Sequence, residues 1–256
     1  MPRILSRGEV SSGGELSVKN PDKWASTFPR LYELYCVDPS NPTNYFNSTN
    51  CQSHLREYPP DPSLTELESI VDELDPAAWQ AWKGRAVGSL SVGKRFGFPL
   101  PLFDCFNEAR AYVFLKRQGY IAITFLRPER KRAKKIPDLL AKNSEGCIIL
   151  LEAKRIHDSE AEIEYLVSPL PHDMRNVCHG LNDALADKLR STVKRAHQQL
   201  LAFRDNRVSR RIVYLSIRID SQSATQETGN EIGQFLATMG DDSMEIVHFI
   251  ENKFLL

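Results

Sequence analysis

Apolar positions along the chain fall into two regimes, and the second half is the more regular. Phe106, Ala109 and Val113, with Cys105 and Tyr112 beside them, recur at helical spacing from Asp104 to about Gly119, whose glycine closes the turn. Three runs of strand character follow, over residues 120–126, 136–142 and 147–154, and Asn143-Ser-Glu-Gly146 joins the last two. Leu185, Leu189, Val193, Ala196, Leu200 and Phe203 then step by three and four through a long helix over residues 182–204. Residues 211–219 predict a strand, 231–239 a helix and 244–250 a last strand. Helix, three strands, helix, strand, helix, strand is an α/β order.

The first hundred residues have a different texture, and a Gly-rich stretch over residues 88–98 separates a mainly helical, loop-rich region (1–100) from the α/β region (101–256). Asn20 before Pro21 predicts a helix start, and Ser63-Leu-Thr-Glu66 reads as a capping box opening a helix through Val71 and Leu74. Asp75-Pro76 starts another, which carries Trp79 and Trp82. Residues 38–62, rich in Pro, Asn, Ser and Thr, predict a surface loop.

Charge narrows the function classes. Lys+Arg and Asp+Glu both number 33, so bulk electrostatics cannot hold this chain to nucleic acid and any such contact needs a local basic patch. No apolar run approaches the roughly 18 residues of a membrane span. The amino terminus has no apolar core of signal-peptide length, which predicts a cytoplasmic protein. Five scattered cysteines, an odd number without a C-x-x-C pair, predict reduced thiols, and Asn47-Ser-Thr is read as a chance glycosylation pattern.

The chemistry concentrates on the hairpin. A three-residue loop Ser144-Glu145-Gly146, with Gly in the left-handed position, pairs Asn143 with Cys147. Facing residue numbers then sum to 290, which sets Asp138 opposite Glu152 and puts Lys154 on the same face. Leu139, Ala141, Cys147, Ile149, Leu151 and Ala153 fall on the other face, while Ile136, Leu140, Ile148 and Leu150 surround the charges. A strand apolar on both faces is buried on both, and charges there are costly unless paired or bound to metal. A salt bridge from Lys154 to one carboxylate satisfies that requirement. So does an oxygen-rich site for Mg²⁺ or Mn²⁺, with Lys154 placed to orient a water or neutralise charge on phosphate. These are the parts of phosphodiester hydrolysis.

The Pro137-Asp138 and Glu152-Ala-Lys154 pattern resembles that of the PD-(D/E)XK nuclease superfamily, and the resemblance covers roughly residues 104–219. It implies a restriction-endonuclease-like core, a mixed central sheet flanked by helices, carrying the helical N-terminal extension. It implies a metal-dependent endonuclease acting on DNA rather than RNA, with Asp138 and Glu152 as Mg²⁺ or Mn²⁺ ligands and Lys154 as the catalytic lysine. Many members add a glutamate from the first core helix; Glu108 in Phe106-Asn-Glu-Ala-Arg110 occupies that place, although it also fits an exposed helix residue paired with Arg110 or Lys116. Members often carry a polar residue on the long helix as well, which points to Gln199 and Arg195, with Lys188 behind them and Gln198 facing away. A solvated flank is the plainer reading of each.

Residues 127–135 hold six basic side chains, and Arg130, Lys131, Arg132, Lys134 and Lys135 lead directly into Pro137-Asp138. Such a loop would meet a nucleic-acid backbone without reading sequence, or it is a solvated connector. Gly88 to Arg95 follows phosphate-loop spacing up to Lys94 but has Arg95 where a Ser or Thr is needed, so it reads as a connector. The histidines show no ligand spacing. A module of the same fold that binds nucleic acid or a partner protein without cutting, through its N-terminal region, is the alternative from another class. Oligomeric state is left open.

Overall fold

Pro follows Asp at 61–62 and 75–76, and both pairs start helices for the same reason: the carboxylate caps free N–H groups and the proline ring presets the first helical residue. A computed structural model describes residues 21–48, 51, 60–91, 100–126, 136–156, 181–218, 226–240 and 243–251. Its N-terminal helices are α1 (Pro21–Thr27), α2 (Pro29–Tyr35), α3 (Pro62–Asp72) and α4 (Pro76–Ala86). Then come α5 (Leu100–Arg117), β1 (Ile121–Phe125), β2 (Leu139–Lys142) and β3 (Ile148–Ile156). The chain continues through α6 (Asp183–Ala202), β4 (Val208–Arg218), α7 (Gln226–Ala237) and β5 (Glu245–Glu251).

The strands form one mixed sheet in the order β1-β2-β3-β4-β5. β1, β2 and β3 pair antiparallel, whereas β3, β4 and β5 pair parallel, since the crossovers through α6 and α7 return the chain to the same end of the sheet. Alternation along central β3 feeds two cores. Ile149, Leu151 and Ala153 join Phe106, Trp82 and the N-terminal helices on one face. Ile148 and Leu150 pack with Leu189, Val193 and Leu200 of α6 and with Ile232 and Leu236 of α7 on the other. The described chain is therefore α/β, a five-stranded mixed sheet flanked by helices.

Trp82 ties the N-terminal helices to this frame: its indole is fully buried and Nε1 donates to Cys105 O at 2.6 Å. Tyr112 Oη donates to Asp75 Oδ2 at 2.6 Å, so α5 grips the cap of α4. Glu68 of α3 caps α2 by accepting from Arg30 N and Leu31 N at 2.8 and 2.9 Å.

Several expectations shift. The cap of α3 is Asp61, accepting from Ser63 N and Leu64 N, and not Ser63, because Pro62 at the first helical position moves the start upstream. α5 begins at Leu100 and α7 at Gln226, earlier than the apolar period alone indicates. β2 spans only Leu139–Lys142: Pro137 has no N–H to give a ladder, and residues 136–138 carry no strand. In the stretch expected at the surface, Tyr45, Phe46 and Cys51 are buried. Asn47 there donates to Pro39 O and Asn41 O, so its amide serves the loop. Among the described residues, Cys36, Cys51, Cys105 and Cys147 are free thiols, and no helix is long and apolar enough to cross a membrane.

Candidate functional site

The hairpin fixes the centre of the site. Gly146 lies at φ +82° and Asn143 N donates to Cys147 O, the closure that the loop composition requires. Leu139 faces Leu151 and Leu140 faces Leu150, so the next pair in this register is Asp138 with Glu152. β2 ends there while β3 runs on to Ile156, which leaves the β3 backbone open on that side. Asp138 fills the gap: its Oδ2 accepts from Ala153 N at 3.0 Å, and its own carbonyl accepts from Leu126 N at 2.9 Å.

Glu152 is completely buried, and side chains from β3 and α6 both donate to it. Lys154 Nζ, two residues on and on the same face, forms an ion pair with Oε1. Gln199 Nε2 of α6 donates to Oε2 at 2.7 Å and to Ile136 O at 2.6 Å, so one amide ties α6 to both the carboxylate and the Pro137-Asp138 segment. Gln198, its neighbour in sequence, is exposed. Gln199 thus reaches the hairpin carboxylate and does not lie on a solvated flank.

Glu108 comes from α5, on the face of the sheet that carries the N-terminal helices. Its partner is neither Arg110 nor Lys116. Arg85, in the last turn of α4, places Nη2 at 2.5 Å from Glu108 Oε1 and 3.9 Å from Asp138 Oδ1. Arg85 was missed in the sequence, which offers no local signal linking it to a carboxylate 23 residues away. Arg110 is engaged elsewhere, with Arg155 and Ser216 around the Glu251 carboxylate.

Three carboxyl groups crowded into a poorly solvated corner cannot all ionise at ordinary pH. Burial, then the charge of Asp138, pushes Glu108 up to about 8 against the opposing pull of Arg85. Burial and Asp138 likewise push Glu152 up to about 8, with Lys154 opposing. Asp138 is raised by burial as well, and Lys154 opposes that shift. Glu108 Oε2 and Arg85 Nη1 are buried without a hydrogen-bond partner among the described residues.

Hard carboxyl oxygens, one of them idle and buried, are the donor type that Mg²⁺ or Mn²⁺ takes. As the side chains stand, Glu108 is turned to Arg85 and Glu152 to Lys154 and Gln199. Among the described residues no group of three or more His, Cys, Asp or Glu side chains is gathered to hold a metal ion. Arg195 is exposed on α6, its guanidinium lying along its own helix toward Ser191 O and Thr192 Oγ1. Arg130, Lys131, Arg132, Lys134 and Lys135 lie outside the described residues. No protein-family model, curated protein or solved structure matches the chain.

Proposed function

We propose that the chain is a metal-dependent nuclease with a restriction-endonuclease-like core, hydrolysing phosphodiester bonds in DNA in preference to RNA. The observation that carries this reading is the pairing of Asp138 with Glu152 at the end of β2, with Lys154 on the same face of the buried strand β3. Asp138 and Glu152, with Glu108, are the residues that would hold Mg²⁺ or Mn²⁺. When bound, such an ion acts as a Lewis acid on phosphate oxygen and lowers the pKa of water.

The chain's own residues do the rest. Gln199 fixes the orientation of Glu152 and anchors the Ile136 carbonyl, so the segment carrying Asp138 cannot drift from β3. Lys154 keeps about a third of its side chain in solvent, where its ammonium can meet an incoming phosphate and offset charge that develops on it. The apolar faces of β3 exclude water from beneath the site and strengthen each of these interactions.

One observation favours a second reading, a module of the same shape that binds nucleic acid or a partner protein without cutting: Arg85 and Lys154 already occupy two of the three carboxylates. Incubating the protein with plasmid DNA, single-stranded DNA and RNA, in Mg²⁺, Mn²⁺ or EDTA, separates the two. Cutting of DNA that EDTA abolishes supports the nuclease; retention of nucleic acid without cutting in either metal supports the binding module.

A further inference from the structure

We propose that Arg85 is a phosphate-contacting residue of this site, by which the N-terminal helices become part of the substrate-binding surface. The inference rests on the nuclease reading above and adds to it a residue from outside the hairpin and its flanking helices.

Arg85 is held in place from both sides. Three residues before it, Trp82 is buried and bonded to the carbonyl of Cys105; three residues after Cys105 stands Glu108, the partner of Arg85. α4 and α5 therefore present the guanidinium and the carboxylate as a fixed pair. Yet the guanidinium is not fully used: Nη2 serves Glu108 and Asp138, whereas Nη1 is buried and has no partner among the described residues. An idle donor at a buried site costs free energy that a phosphate oxygen accepting from it would recover. A quarter of the side chain is exposed while Nη1 itself is shut from solvent, so a phosphate reaches the fork only when the guanidinium turns outward from Glu108. Its planar pair of donors matches two phosphate oxygens.

Formal charge points the same way. With all three carboxyls ionised, the form a bound cation would draw them into, Glu108, Asp138 and Glu152 carry three negative charges against two positive ones on Arg85 and Lys154. The two charges of the cation bring that loaded site to one positive, which one phosphodiester then neutralises. Without Arg85 the cation-loaded site would be neutral and its attraction for phosphate lost. The same arginine must therefore oppose cation binding while favouring the substrate.

The test uses Arg85→Gln and Arg85→Lys in the full chain. Mn²⁺ affinity is measured by calorimetry without nucleic acid, and binding of a fluorescent DNA duplex by anisotropy in Ca²⁺ on ice, with the duplex checked for integrity. For Arg85→Gln we expect Mn²⁺ to bind several-fold more tightly and the duplex about tenfold more weakly, with a salt dependence shallower by about one charge. Arg85→Lys, which keeps the charge without the fork, should bind Mn²⁺ as wild type does and the duplex with intermediate affinity. Wild-type duplex binding in both variants overturns the role of Arg85 and leaves the nuclease reading standing. Failure of wild type to bind Mn²⁺, or equal Mn²⁺ binding by Asp138→Ala, overturns both. Should Arg85→Gln not fold, Arg85→Lys decides alone: weaker duplex binding at unchanged Mn²⁺ affinity supports the role, and unchanged duplex binding removes it.

Discussion

Replacing Gln199 with Leu keeps the volume of the side chain on α6 but removes both donors from its amide. Two acceptors then lose their partner, the Oε2 of fully buried Glu152 and the carbonyl of Ile136. A buried acceptor left without a donor costs about 1–3 kcal/mol, so the substitution should lower stability by about 2–4 kcal/mol once some relaxation is allowed. Urea unfolding followed by tryptophan fluorescence reads this as a lower midpoint at unchanged slope. The same substitution placed in a Glu152→Leu background should cost only the Ile136 share, about 1 kcal/mol, giving a coupling energy of about 1–3 kcal/mol between the two side chains. A Gln199→Leu protein that unfolds within about 0.5 kcal/mol of wild type would refute the reasoning. So would equal costs in the two backgrounds, because Gln199 would then not be what positions the carboxylate.

Ala122, at φ +50° beside the register shift of β1, pays for a left-handed backbone while making no use of its side chain, so Ala122→Gly should raise stability by about 0.5–1 kcal/mol in a thermal or urea melt. Glu251 is gripped by Arg155, Arg110 and Ser216, and Glu251→Gln should cost about 3 kcal/mol by leaving the buried Arg155 guanidinium without its carboxylate while Arg110 keeps Glu66, a loss that a urea titration measures directly. Stability without divalent cations should depend on pH in two opposite ways. Glu108 and Glu152, raised from 4.5 to about 8, bind protons in the folded state that the unfolded chain has released, so their contribution is full in mild acid and lost as pH rises across that window. Burial works against the Glu251 carboxylate, yet Arg155 and Arg110 keep its pKa below the ordinary value, so its contribution is lost as pH falls into acid. Urea midpoints from acid to pH 9 in EDTA should therefore peak in mild acid and decline toward pH 8 by no more than about 1.4 kcal/mol per pH unit for each proton involved. Mg²⁺ should flatten that decline, and a flat profile in EDTA would contradict the crowding of carboxylates described here.

What could be read from the residues was local or periodic. The loop Asn143 to Gly146 determines a register, and the register alone aligns Asp138 with Glu152 and aims Lys154 to the same side. The choice of Gln199 over Gln198 followed from the helical period, since Leu189, Val193, Ala196 and Leu200 fix the buried centre of α6. What escaped depends on packing between distant segments. Arg85 meets Glu108 only because Trp82 docks α4 on α5, and no spacing rule encodes that contact. The Glu251 cluster joins Arg155 across 96 residues of sequence and is equally invisible. Local signals also competed: Ser63-Leu-Thr-Glu66 is a valid capping box, but Asp61-Pro62 is a stronger start just upstream and wins. Pro137, part of the motif, shortens the very strand that the apolar run predicted.

The account stands or falls on whether Asp138 and Lys154 carry a metal-dependent reaction. Single-turnover cleavage of DNA in Mn²⁺ should be compared for wild type, Asp138→Ala and Lys154→Ala, each shown by urea unfolding to be folded under the assay conditions. The account predicts cleavage by wild type that EDTA abolishes, and a loss of about a hundredfold or more in each variant. Cutting by both folded variants at the wild-type rate, or no cutting by wild type in either Mg²⁺ or Mn²⁺, would contradict it.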